Sequence, residues 1–388
     1  MRIGQLYGIL VFITIFISGC AQEQAKAPIE KVAQAEGVAN KTAYPKIASW
    51  LAKKEEIIAS GKPYSLVMSA WFTPQEAAEI KEANPEARVL AGLTVNWVYD
   101  SREWMEFLKA VASYGRSKQM EITEDMYLKN PKGEKCAFGW ASEEWGHGEI
   151  YAMDPRNERW VELITSFYAN VLKQPQHDGI IVDMVTEWSP CPEAISNEEW
   201  VKATKQIFER IRKLNHDKKL VIFNAGKDLS EIDAYEGYFD GYLMENFLGK
   251  QFGADFNEGL KAAEGDYIVI YAVDTDDTGV KDLKKMRLGL TLSLLNDNTY
   301  FTYDFGPRDH GSAWWFPEYE AALGAPLGEY YSKNGAYWRD FEKGVVVASP
   351  YRTLEVSFEE ERVDVTTGRR SRNFTVEKGD GRIFVKVE

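Results

Sequence analysis

The sequence predicts an α/β protein, a (β/α)8 barrel followed by a small antiparallel β domain, on three observations. Between about Tyr44 and Gly306, short apolar runs that end in polar or acidic residues alternate with stretches of helical spacing. That is the pattern of parallel strands joined by crossover helices. Eight such runs are found, and no Gly-rich phosphate turn follows an early one, which disfavours a doubly wound open sheet. From about Tyr337 onward only strand patterns remain.

The first expected strand is Ser65–Ala70, with Thr73-Pro74 opening the next helix as cap and first-turn pair. The second is Arg88–Leu93, with Asn96 and Trp97 just beyond it and a helix from Ser101 to Tyr114. Residues 119–150 break the pattern. They hold the turn Asn130-Pro131-Lys132-Gly133 and a Trp-rich run to Trp145, read as a third strand with a long, partly hairpin loop. A helix runs from Asn157 to Leu172, and the fourth strand is Gly179–Asp183. The helix Asn197–Leu214 follows, with Glu198 and Glu199 in its first turn. Strands five to seven are Leu220–Asn224, Gly241–Glu245 and Tyr267–Asp274. A helix from Val280 to Leu295 leads to the eighth, Tyr300–Asp304.

Beyond it, Val345–Ala348, Leu354–Phe358, Arg362–Thr366, Asn373–Val376 and Arg382–Val387 read as strands separated by Gly-containing turns. A unit of about fifty residues is marginal alone, so it should pack on the barrel. The expected divisions are a barrel over 44–336 and a β domain over 337–388.

The chain opens with a basic residue, Arg2, an apolar run from Leu6 to Ile17, and then Ser18-Gly19-Cys20. These are the parts of a signal peptide. The apolar run is about twelve residues, short of the roughly twenty that a spanning helix needs. Ser18-Gly19-Cys20 resembles a lipobox, which implies cleavage after residue 19 and a lipid anchor on Cys20. Residues 20–43 lack a packed-core composition and read as a tether holding the fold off the membrane. The expected location is therefore the outer face of the cell membrane. Cys136 and Cys191 remain, and outside the cell they either pair or stay free thiols.

The net charge of −14, with no Lys/Arg run, argues against nucleic acid as a partner. No zinc motif, Walker loop or nucleophile elbow is present, so no cofactor or metal is expected. Asp274-Thr275-Asp276-Asp277 could bind calcium or be an acidic capping turn.

The strongest chemical signal is a matched pair of hexapeptides, Asp178-Gly-Ile-Ile-Val-Asp183 and Asp240-Gly-Tyr-Leu-Met-Glu245. Side chains alternate along a strand, so Asp183 shares a face with Ile181 and Glu245 with Leu243. At the carboxyl ends of barrel strands, both look into the mouth where such barrels do chemistry. Asp178 and Asp240 sit at the opposite end and are read as caps on strand starts. Asp274, Asp304 and Asn224 end three further strands. Two carboxylates flanking a bond are what glycoside hydrolysis requires. Asp183 and Glu245 are the candidate pair, with Asp183 read as nucleophile or base. Glu245 is read as the acid, desolvated by nearby Phe247, and Glu187 as a rival acid. Trp71, Asn96, Trp97, Glu187, Trp188, Asn224, Asp274 and Asp304 are expected to bind substrate. Indole rings stack on the C–H faces of sugars, and Trp140, Trp145 and Trp314-Trp315 beside His310 are further candidate walls.

On the two hexapeptides and the tail Arg339-Asp-Phe-Glu-Lys-Gly-Val-Val-Val-Ala-Ser-Pro350, most of residues 45–388 resembles the hypothetical glycosyl hydrolases that stand near polygalactosaminidase-like barrels. The resemblance implies a barrel with a C-terminal β domain and cleavage of O-glycosyl bonds, without naming a sugar. The Trp-rich segment 119–150 departs from it. The expected function is a surface-anchored, monomeric glycoside hydrolase acting on an extracellular polysaccharide or glycan. The alternative is a carbohydrate-binding lipoprotein that no longer cleaves.

Overall fold

The computed structural model describes residues 44–69, 72–138, 149–250, 253–307 and 310–387. The signal segment, the tether, Cys20, Trp71, Trp140, Trp145 and His147 lie outside them. Three barrel strands come first: β1 (Ala48–Trp50), β2 (Leu66–Ser69) and β3 (Arg88–Ala91). A hairpin of β4 (Trp97–Tyr99) and β5 (Ile150–Ala152) intervenes. Then come β6 (Gly179–Val182), β7 (Leu220–Asn224), β8 (Gly241–Met244), β9 (Ile268–Asp274) and β10 (Thr299–Asp304). The eight barrel strands are parallel and neighbour one another in chain order. The seam closes through a bridge from Ile47 to Phe301, where the Phe301 N–H donates to Lys46 O at 3.1 Å.

The strand count holds, but the first three are assigned differently from the expectation. The barrel begins at β1, and the described part of 119–150 contributes no barrel strand. Ala-Ser-Trp is too short to show an alternating pattern, while the hairpin segment carries enough apolar residues to imitate a strand. The helices are α1 (Lys54–Ser60), α2 (Pro74–Ala83), α3 (Arg102–Ala112), α4 (Glu158–Lys173), α5 (Asn197–Leu214), α6 (Phe256–Ala262) and α7 (Leu283–Ser293). Local chemistry starts them where the sequence suggests. Thr73 and Ser196 form capping boxes with Glu76 and Glu199, and the Asn157 side chain accepts from the N–H groups of Arg159 and Trp160.

The repeated Asp-Gly is explained at the bottom of the barrel. Asp178 accepts from the Val89 N–H at 2.7 Å, and Asp240 from the Val221 N–H at 2.8 Å. Each carboxylate thus holds the N–H of the second residue of a neighbouring strand, with Lys81 and Arg212 balancing the charges. A Cβ on Gly179 would lie 2.3 Å from Leu220 O, and one on Gly241 2.4 Å from Ile268 O. Only glycine lets those strands approach so closely. Inside the barrel, Trp50, Met68, Leu90, Ile181, Ile222 and Leu243 pack as one cluster and close the floor beneath the mouth.

The C-terminal sheet has six strands in the order β11 (Tyr331–Lys333), β12 (Ala336–Phe341), β13 (Gly344–Ser349), β16 (Asp380–Lys386), β14 (Leu354–Asp364), β15 (Arg370–Val376). It starts at Tyr331, before the expected Tyr337. The two strands expected at 354–358 and 362–366 are replaced by one, β14, irregular between Ser357 and Arg362. The sheet packs on α7. Gly381 makes that approach possible, since a Cβ there would lie 2.0 Å from Thr291 Oγ1. Arg287 on α7 reaches Asp380 on β16 through two hydrogen bonds, of 2.7 and 2.9 Å, in a buried pair. Arg339 on β12 donates to Gly328 O, Leu294 O and Asp297 Oδ1.

Cys136 and Cys191 form a disulfide across 55 residues, joining the hairpin excursion to the loop after β6. Among the described residues, no helix is long and apolar enough to cross a membrane.

Arg287→Met is expected to lower the unfolding free energy by about 3 kcal/mol, because it removes both Arg287 hydrogen bonds from a fully buried Asp380 and leaves it Arg382 as its cation. Chemical denaturation measures it, and an unchanged midpoint would show that the sheet does not depend on this pair.

Candidate active site

Six side chains from β1 and from the ends of β6 to β10, joined by one loop residue, meet at the mouth. They are Trp50, Asp183, Asn224, Glu245, Asp274, Asp304 and, six residues past β10, His310. The residues after Trp50, Asp183 and Glu245 are Leu51, Met184 and Asn246, all in the left-handed region at φ of 56°, 50° and 51°. A leucine or methionine there is uncommon. The turn swings the chain off the rim directly after each mouth-facing side chain, and such strain concentrates at functional sites.

Asn224 sits at the centre. Its Nδ2 donates to Asp183 Oδ1 at 2.8 Å and to Glu245 Oε2 at 3.2 Å. Its Oδ1 accepts from the Gly226 N–H at 2.9 Å, which fixes the amide with its donors toward the acids. Those two acceptor oxygens are therefore at most about 6 Å apart. Asp183 Oδ1 also accepts from the Met184 N–H at 2.8 Å. Glu245 Oε1 accepts from Trp50 Nε1 at 3.2 Å. His310 Nε2 lies 2.8 Å from Glu245 Oε1, off its N–H axis, so the contact is one of charge rather than a linear hydrogen bond. His310 Nδ1 is 2.9 Å from Asp304 Oδ2.

These contacts set the charges. Burial, and then the Glu245 charge, push Asp183 up to about 6. Burial alone would raise Glu245 as well, but His310, Asn224 and Trp50 outweigh it and hold that carboxyl below its usual value. Burial opposes the charged form of His310, yet Asp304 and Glu245 together keep the imidazole well above its ordinary range. Of the two acids, Asp183 is therefore the one that takes a proton more readily, and Glu245 the one that stays ionised. This reverses the expected desolvation of Glu245. Phe247 is turned to the outer layer, where it packs on Tyr271 with ring centroids 4.8 Å apart, and it does not reach the mouth.

Asp274 pairs in register with Asp304 and is pushed up to about 6, chiefly by burial. Lys285 lies 3.6 Å from Asp274 and 3.2 Å from Asp276, and Asp274 Oδ1 accepts from the Asp276 N–H. The acidic turn is thus balanced by a lysine and its own backbone. Among the described residues, no group of three or more candidate ligands could hold a metal ion.

Several expected substrate contacts are placed elsewhere. Trp97 is fully buried, donates to Met184 O, and packs beneath Phe138, Trp188 and Trp200. Asn96 is buried and donates to Thr204 on α5. Glu187 accepts from the Ala234 N–H and lines a surface depression with Lys202 and Lys205, away from the pair. Trp314 and Trp315 pack on the outer layer, against Tyr303 and against Tyr64 and Tyr319. Trp188 stays 39 % exposed beside Phe138, on the loop that the disulfide pins. Trp50 was not expected at the mouth, because its strand was not recognised. In the sequence His310 stands out only as a neighbour of Trp314 and Trp315. Its signal was its place six residues past Asp304, in a loop between Gly306 and Gly311.

The eight-stranded barrel with its separate C-terminal sheet is a TIM barrel carrying an antiparallel β domain. The α-amylase from Geobacillus thermoleovorans, solved with acarbose, matches over 88% of this chain and 98% of its own, with a TM-score of 0.50 and 9% identity, a likeness of fold. The glycoside hydrolase domain of PelA from Pseudomonas aeruginosa matches over 68% of this chain and 96% of its own, at TM-score 0.45 and 13% identity. A debranching enzyme from Nostoc punctiforme matches over 86% and 88%, at 0.44 and 12%. No curated protein sequence matches. The chain belongs to hypothetical glycosyl hydrolase family 15, whose model matches residues 81–345.

In Glu245→Gln, Asp183 is expected to titrate below about 6 but above the usual aspartate value, since one neighbouring charge is gone and burial remains. Carboxyl 13C NMR reads it, and an unmoved titration would show that the two acids are not coupled.

Proposed function

We propose that this protein is a retaining glycoside hydrolase that uses Asp183 and Glu245 on a polysaccharide or glycan outside the cell. The observation that carries the proposal is the pair of half-buried carboxyls bridged by one amide, with their bridged oxygens no more than about 6 Å apart. That is close to the roughly 5–5.5 Å of retaining enzymes and short of the roughly 6.5–9.5 Å that leaves room for water in inverting ones. One group protonated and one ionised is the state that such catalysis needs. Family membership supports the reaction class. Trp188, with Phe138 beside it, offers an exposed aromatic surface for a sugar face.

Asp183→Asn and Glu245→Gln should each reduce the release of reducing ends from a polysaccharide panel by about a thousandfold or more, with unchanged circular dichroism. Early product observed by 1H NMR should keep its anomeric configuration. Wild-type activity in both variants would remove the assignment, and inverted product would remove the retaining mechanism.

The proposed place of action is the outer face of the membrane, through a lipid on Cys20. The lipobox-like Ser18-Gly19-Cys20 and the disulfide, which suits an oxidising compartment, support it. Cys20→Ser should move the protein from the membrane to the soluble fraction on fractionation. A variant still bound to the membrane would rule out this anchor.

A further inference from the structure

The geometry points to His310, clamped between Asp304 and Glu245, as the positioning residue that makes Glu245 the nucleophile and leaves Asp183 as the acid. The inference rests on the hydrolase reading and assigns roles within the same pair.

Among the described residues, Asp183 after β6, Glu245 after β8, Asp304 at the end of β10, His310 in the loop beyond it and Tyr99 on β4 come together here, with Asp274 of β9 beside Asp304. The His310 side chain is 8 % exposed and that of Asp304 4 %, so water screens neither. Asp304 Oδ2 accepts a hydrogen bond from the Nδ1–H, which turns Nε2 to Glu245. Two carboxylates from different strands therefore hold a cation between them. That cation and Trp50 both sit on Oε1 of Glu245, while among the described residues Oε2 has Asn224 alone. Oε2 is the oxygen on the side of Asp183 and is the attacking atom.

Asp183 has the opposite arrangement. Both of its donors, Asn224 and the Met184 N–H, fall on Oδ1. Oδ2 is left to carry a proton. Both carboxylates raise the Tyr99 hydroxyl above its usual value, after burial as the larger cause, so the phenol stays neutral.

The step then balances. Glu245 Oε2 forms a bond to the anomeric carbon as the C–O bond to the leaving sugar breaks. The leaving oxygen takes the Asp183 proton. Water next attacks the same carbon and gives its proton to Asp183, and the bond to Glu245 breaks, returning both groups to their resting state. His310 exchanges no proton, and its charge opposes protonation of Glu245 throughout.

The test needs no substrate. In the full-length protein, 15N imidazole and 13C carboxyl NMR follow His310, Glu245 and Asp183 in wild type, His310→Asn and Asp304→Asn. His310 is expected to stay an imidazolium well above the pH at which an ordinary histidine loses its proton. In His310→Asn both carboxyls should titrate at higher pH than in wild type, because the cation that lowers both is gone. Asp304→Asn, which keeps the shape of the contact, should bring the His310 titration down. A neutral His310 at pH 7, or carboxyl titrations unmoved by His310→Asn, overturns the inference. Either result leaves the hydrolase reading standing, which fails only if the wild-type protein cleaves no glycan.

Discussion

Two carboxyls within about 6 Å, in a mouth that leaves them only partly exposed to water, cannot both be ionised without help. The rest of the site answers that constraint. Asn224 gives one donor to each acid, and its own carbonyl is pinned to the Gly226 N–H so that it cannot flip. His310 brings a positive charge to one side only, held there by Asp304. The asymmetry of the site comes from this histidine and not from the acids themselves.

The barrel supplies the precision. Each mouth residue but His310 sits on or next to a strand whose inner face is packed by apolar side chains below it. The strand starts are clamped from underneath by Asp178 and Asp240, and the glycines beside them let neighbouring strands close in. The two ends of each hexapeptide therefore serve different purposes, register at the bottom and chemistry at the top. The C-terminal sheet supports α7, the helix between β9 and β10, through the buried pair Arg287–Asp380. It thus braces the stretch of barrel that carries Asp274 and Asp304.

Much of this was legible in the sequence because it is periodic or local. Helix starts followed from their caps, and the five strands from β6 onward from their apolar runs. Asp183 and Glu245 followed from alternation, since the side-chain period of two fixes which face an end residue takes. What escaped depended on contacts distant in the chain. Trp50 belongs to a strand of three residues, defined only by pairing with β2 and by closure against β10. His310 meets Glu245 across 65 positions, and no spacing announces such a contact. Trp97 looked like a loop aromatic, yet the hairpin and the disulfide build a small core around it.

The roles of the acids were also outside the reach of the sequence, because they depend on which oxygens receive which donors. The measurement that bears most directly on them is the identity of the residue that carries the sugar. Treatment with a panel of 2-fluoroglycosyl fluorides, followed by peptide mass mapping, traps that residue in a retaining enzyme. The account predicts the label on Glu245. A label on Asp183, or none while the protein hydrolyses a glycan, would contradict it.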